Sequence, residues 1–83
     1  MEQEFFDQAA QRWQDMVFRL ALHQLGSYAD ADDAVQEVFL RLWRQKAPFE
    51  SEEHLRRWLL RVTVNWCRDQ LRSPWRRRRV DWA

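Results

Sequence analysis

Arg57, Arg61, Asn65, Arg68 and Arg72 recur at steps of four, four, three and four residues. At about 100° per residue, an α-helix gathers all five within an arc of roughly 80°. Four guanidinium forks on one stripe suit a row of phosphates, which supplies affinity that falls with salt. Asn65 stands in the middle. Its amide offers both a donor and an acceptor, as reading a base edge requires and holding a phosphate does not. Arg76 to Arg79 continue the positive charge beyond the stripe. Any one of these arginines taken alone reads as a solvated surface side chain; five aligned polar residues do not.

Other chemistry finds little support. There is no Gly-rich phosphate loop. His23 and His54 lie far apart and lack a cysteine or carboxylate at metal-ligand spacing. Ser27, Ser51 and Ser73 sit in no nucleophile motif. Asp30, Asp32, Asp33 and Glu37 cluster, but acids at the start of a helix favour its dipole and then face solvent. These residues point to a binding protein with no catalytic, metal or cofactor site.

The stripe needs a helix to carry it. The chain has 83 residues, enough for one domain with a thin core. It is 46% hydrophobic and 33% charged, with Gly 1 and Pro 2, which leaves little material for turns. A few long helices follow. The first spans Gln3 to Leu25, with apolar residues at helical spacing from Phe5 to Leu25, and Gly26 stops it. "GSYADADDA" reads as the turn, with Asp30 or Asp32 capping a second helix from Ala31 to Gln45. Val35, Val38, Phe39, Leu42 and Trp43 form its apolar stripe. "KAPFESEE" breaks that helix, and Ser51 caps a third from Glu52 to Arg72.

On the third helix, Leu55, Trp58, Leu59, Val62 and Trp66 share one arc, and Leu60, Val64, Cys67 and Leu71 share a second, narrower one. This predicts packing on two sides with the Arg/Asn stripe in solvent between them. Pro74 stops or kinks the chain, leaving room for a short extra C-terminal helix. No strand pattern appears. The expected fold is all-α, a compact three-helix-core bundle.

Charge is divided along the chain. Residues 1–40 hold two basic and eight acidic side chains, net −6; residues 41–83 hold twelve basic and five acidic, net +7. Such halves suggest two partners, or one composite partner of both signs. Thirteen of the fourteen basic residues are Arg, Lys46 being the exception, a bias that phosphate contacts or a GC-rich genome would equally produce. The one cysteine, Cys67, excludes an internal disulfide and fits a reducing cytoplasm. The acidic start MEQEFFDQ is no signal peptide, and no apolar run approaches the ~20 residues of a membrane span. Phe49, an aromatic in the second loop, fits either a pocket for an unstacked base or a lid on the core. Gln36, Glu37, Leu40 and Arg41 lie off the core stripe of the second helix, and the exposed leucine among polar residues suits a partner helix.

"DADDAVQEVFLRLW" followed by "RRWLLRVTVNWCRDQLR" resembles region 2 of bacterial sigma factors, specifically the small extracytoplasmic-function (ECF) class. Asp30, Asp33, Val35, Gln36, Glu37, Phe39 and Trp43 match the first block, Phe49 the loop, and Trp58, Leu59, Arg61, Val62 and Asn65 the second. The resemblance runs from about Phe6 to Arg79. It implies a domain that recruits RNA polymerase core enzyme to promoters and melts the −10 element, in the cytoplasm of a bacterium, with an anti-sigma factor as a further partner. By the same resemblance, Asp33, Gln36, Glu37, Leu40 and Trp43 face the clamp coiled coil of the polymerase β′ subunit. Arg57, Arg61, Asn65, Arg68 and Arg72 face the single-stranded nontemplate strand. The loop around Lys46 to Glu53, with Phe49, holds a flipped base, and Arg76 adds a phosphate contact. Two features depart from the pattern: the loop is more acidic than usual, and Thr63 stands where Ala is usual.

The expected organisation is a region 2 domain over residues 1–74 and the start of a basic interdomain linker over 75–83, without the −35-reading region 4 of a longer factor. Two alternatives stay open. A stand-alone helical DNA-binding regulator would bind duplex without polymerase. A module that binds only protein would be indifferent to changes at Arg61 and Asn65.

Overall fold

The computed structural model describes residues 1–72. The expected linker, the possible extra helix after Pro74, and Arg76 lie outside the described residues. Three helices follow one another: α1 (Gln3–Leu25), α2 (Tyr28–Arg44) and α3 (Glu52–Arg72). α1 packs along both others, while α2 and α3 touch each other least.

The bounds of α1 and α3 are those expected. α2 begins three residues earlier than expected. Gly26 takes the left-handed conformation (φ 69°), and its N–H donates to Leu22 O at 2.8 Å. Ser27, extended at φ −142°, is then the N-cap: its Oγ accepts from Asp30 N–H at 3.3 Å. Neither Asp30 nor Asp32 caps, and the turn shrinks from "GSYADADDA" to Gly26 and Ser27. Ala31, now one turn inside the helix, and Ala34 are both fully buried beside Ala21 of α1. Small side chains at this end let the two backbones approach closely.

α3 corrects the expectation of two-sided packing. Its buried residues are Leu55, Leu59, Thr63 and Cys67, one i, i+4 row of which none is more than 1% exposed. That row joins the edges of the two apolar arcs read from the sequence, Leu55 and Leu59 from the first and Cys67 from the second, through Thr63 between them. The flanking residues Trp58, Val62, Leu60 and Val64 are only half-buried, and Leu71 is 43% exposed. The helix therefore buries one broad face. Thr63 is fully buried at its centre, and its Oγ1 donates to Leu59 O at 2.6 Å. This bond satisfies the hydroxyl within its own helix, so a polar residue serves where Ala is usual.

Two apolar clusters result. Ala9, Val17, Val38, Phe39, Leu42, Leu55 and Leu59 form the larger. Ala21, Leu25, Ala31, Ala34 and Cys67 form the smaller, at the α1–α2 turn. Trp13 Nε1–H donates to Glu52 Oε2 at 3.3 Å and ties α1 to the first turn of α3. No described helix is long and apolar enough to cross a membrane.

The single-face packing of α3 makes a test. Leu59→Ala should cost about 2–5 kcal/mol. Leu60→Ala, in the arc expected to be core but only half-buried, should cost markedly less. Urea unfolding of both variants measures the difference; equal losses would restore the two-sided picture.

Candidate nucleic-acid and protein interfaces

The buried row of α3 dictates where the stripe points. With Leu59 and Thr63 facing the bundle, residues half a turn away face solvent. Arg57, Arg61, Asn65, Arg68 and Arg72 are all exposed. The ion pairs of this helix involve other residues: Arg56 lies 4.0 Å from Glu53, and Arg12 of α1 lies 3.9 Å from Glu52. Among the described residues, no carboxylate pairs with the four stripe arginines. They present a line of uncompensated positive charge with the Asn65 amide at its middle.

The loop between α2 and α3 lies at the N-terminal end of that line. Lys46 is exposed and Phe49 half-buried. Phe49 makes the contacts of a core lid: its ring lies 5.6 Å from Trp58 and 5.2 Å from His54, both edge-on, and 6.5 Å from Phe5 in near-parallel orientation. It also lines a half-open cavity of about 280 Å³ together with Phe5, Gln45, Lys46 and Pro48. Met1, Glu2 and Ala47 complete the wall. The two roles weighed for Phe49 are thus not exclusive in space.

α2 offers a second surface. Its buried Ala31, Ala34, Val38 and Leu42 leave Asp33, Gln36 and Leu40 exposed on the far side, with Glu37 half-buried and 3.5 Å from Arg41. Trp43 is 39% exposed and sets its ring edge-on to Phe6 at 5.2 Å. Gln36, Leu40 and Trp43 meet Gln3, Phe6 and Phe39 around a shallow, mainly apolar groove of about 400 Å³. Sequence reasoning placed the α2 members on one face but missed Gln3 and Phe6, which reach the groove only through the α1–α2 packing. It also missed His54, read only as an unpartnered metal candidate. His54 precedes Arg57 by three residues, so helical spacing alone would have put it on the stripe.

The sequence itself has a match. The sigma-70 region 2 family profile covers residues 9–77. The chain belongs to the sigma-70 region 2 family. It is 44% identical over 54 residues to the ECF RNA polymerase sigma factor SigG of Mycobacterium tuberculosis, covering 65% of this chain and 14% of that protein. It is 37% identical over 67 residues to SigM of the same organism, covering 81% of this chain and 34% of SigM. With SigW of Bacillus subtilis it shares 27% over 72 residues, 87% of this chain and 38% of SigW. The region 2 domain thus spans from about a seventh to two fifths of the length of these relatives. No solved structure gives a match.

If the stripe is surface and not scaffold, Arg57→Ala, Arg61→Ala and Arg68→Ala should each leave unfolding free energy within about 0.5 kcal/mol of wild type. A larger loss in urea unfolding would assign that arginine a structural contact.

Proposed function

We propose that this chain acts in transcription initiation as the sigma-factor domain that docks on RNA polymerase core enzyme and holds the melted promoter −10 element. The observation that carries this reading is the exposed Arg/Asn line on α3, free of carboxylate partners, opposite the buried row and leading back to the loop that carries Phe49. The family assignment and the ECF relatives support it.

The division of tasks follows from side-chain chemistry. Arg57, Arg61, Arg68 and Arg72 neutralise phosphates of the nontemplate strand, independent of sequence. Asn65 adds a base-edge contact. Opening a pair and unstacking a base costs a few kcal/mol. Stacking a base on an aromatic ring returns about 1–3 kcal/mol, which the cavity beside Phe49, with Lys46 at its rim, can supply. The chain needs no catalytic group for this, since binding energy alone shifts the duplex toward its open form. The α2 face is the polymerase side: Gln36, Leu40 and Trp43 border an apolar groove, and Asp33 and Glu37 give it a negative rim. A helical coiled coil of the β′ clamp with basic flanks would fit such a surface.

The test is binding of the chain to fluorescent single-stranded −10 nontemplate oligonucleotides, with and without core enzyme. Base-selective binding strengthened by core enzyme is expected; tight duplex binding indifferent to core enzyme would instead favour a stand-alone DNA-binding regulator. Asn65→Ala should reduce discrimination among −10 sequences by about 1–3 kcal/mol while leaving co-purification with polymerase intact. Each stripe arginine changed to Ala should flatten the salt dependence by about 0.7 in log–log slope. Gln36→Arg, which brings a cation to the α2 face, should weaken co-purification with core enzyme. Unchanged recovery would remove α2 from the polymerase side.

A further inference from the structure

The loop between α2 and α3 has no regular secondary structure, yet one side chain fastens it. Glu50 N–H donates to His54 Nδ1 at 3.0 Å. His54 N–H in turn donates to Ser51 Oγ at 3.1 Å. The pair is a variant of the capping box, in which the third helical residue reaches back to a main-chain N–H ahead of the helix. Here the reach is one residue longer than usual, and histidine replaces the customary Glu or Gln. In this contact the imidazole accepts through Nδ1, which leaves Nε2 free of the Glu50 backbone. Its edge also meets the Phe49 ring at 5.2 Å and 69°. Among the described residues, this is the one side-chain hydrogen bond made to the backbone of residues 46–50.

Position makes this contact consequential. His54 falls within the arc of the arginine stripe, one turn before Arg57. The same imidazole therefore stands on the stripe and holds both the backbone of Glu50 and the ring of Phe49. We propose that His54 is a positioning residue: its Nδ1-accepting ring fixes the loop cavity relative to the stripe, and so sets which base is accepted there. The inference rests on the reading of loop and stripe as the DNA-binding face.

Three substitutions separate the hydrogen bond from the ring contact. In His54→Asn the side-chain amide oxygen would stand where Nδ1 stands, so this change keeps the acceptor and loses the ring. His54→Phe keeps a ring and loses the acceptor. His54→Ala loses both. Two readouts apply to the full chain. The first is hydrogen exchange of the Glu50 amide without DNA. The second is the affinity ratio for two single-stranded oligonucleotides differing in one −10 base, with core enzyme present.

Wild type and His54→Asn should protect the Glu50 amide and keep base selectivity. His54→Phe and His54→Ala should exchange that amide about five- to tenfold faster and lose selectivity by a similar factor, the worth of one hydrogen bond. Their salt dependence should not change, because the arginines are untouched. Wild-type selectivity in His54→Phe, with its loss in His54→Asn, would overturn the proposal in favour of ring packing. A freely exchanging Glu50 amide in the wild type would overturn it directly. A wild-type chain with no base selectivity would overturn the DNA-binding reading first, and this inference with it.

Discussion

Burial of the Leu55, Leu59, Thr63 and Cys67 row fixes the rotation of α3, and the exposure of the whole arginine stripe depends on that rotation. Turning the helix by one residue, about 100°, would swing part of the arginine stripe toward the bundle. Each leucine buried in place contributes about 1.5–3 kcal/mol. An arginine buried without a partner would cost more than that. Apolar burial and charge exclusion thus select the same register. The buried Thr63 does not weaken it, because its hydroxyl is bonded to Leu59 O inside the helix.

The same economy governs α2. Its alanines, Val38 and Leu42 close the core, which leaves the acids and Gln36 outside. Because each helix has one buried face, the sequence-level split in charge becomes a spatial one. Acids collect on the α2 surface and basic groups on that of α3. On the proposed reading, a polyanion is drawn to one and repelled by the other, which orients the approach to nucleic acid.

How much of this could be read from the chain follows from which interactions are local. α1 and α3 were legible because their caps and stops, Gly26 and Ser51, are adjacent to long periodic runs. The start of α2 was not: Asp30 and Asp32 read as the caps, whereas the cap is Ser27, directly after the left-handed Gly26. The two-arc reading of α3 failed because Thr63 looks polar in sequence, which hid the middle of the buried face and left Leu55, Leu59 and Cys67 in separate arcs. The arginine stripe was legible as helical spacing. Gln3, Phe6 and Phe5 were not legible as lining residues, for they meet the α2 groove and the Phe49 loop only across the fold. His54 was on the stripe by spacing, but its bond to Glu50 is a feature of the turn.

On the proposed reading, rigidity is distributed according to what each part must recognise. Arginines four residues apart on α3 are about 6 Å apart along its axis. That is close to every second phosphate of a stacked strand, about 6.8 Å at 3.4 Å per nucleotide. A regular helix therefore suits a regular backbone, and flexible side chains absorb the small mismatch. An unstacked base is a single object of defined shape, and periodicity is of no use in holding it. It calls for an irregular loop, held in place by something other than helix or sheet hydrogen bonds. The loop of this domain meets that need with a cap residue, a ring contact and the core-facing side of Phe49. The sequence-independent and sequence-dependent parts of recognition then sit on elements of different kinds, joined at the first turn of α3.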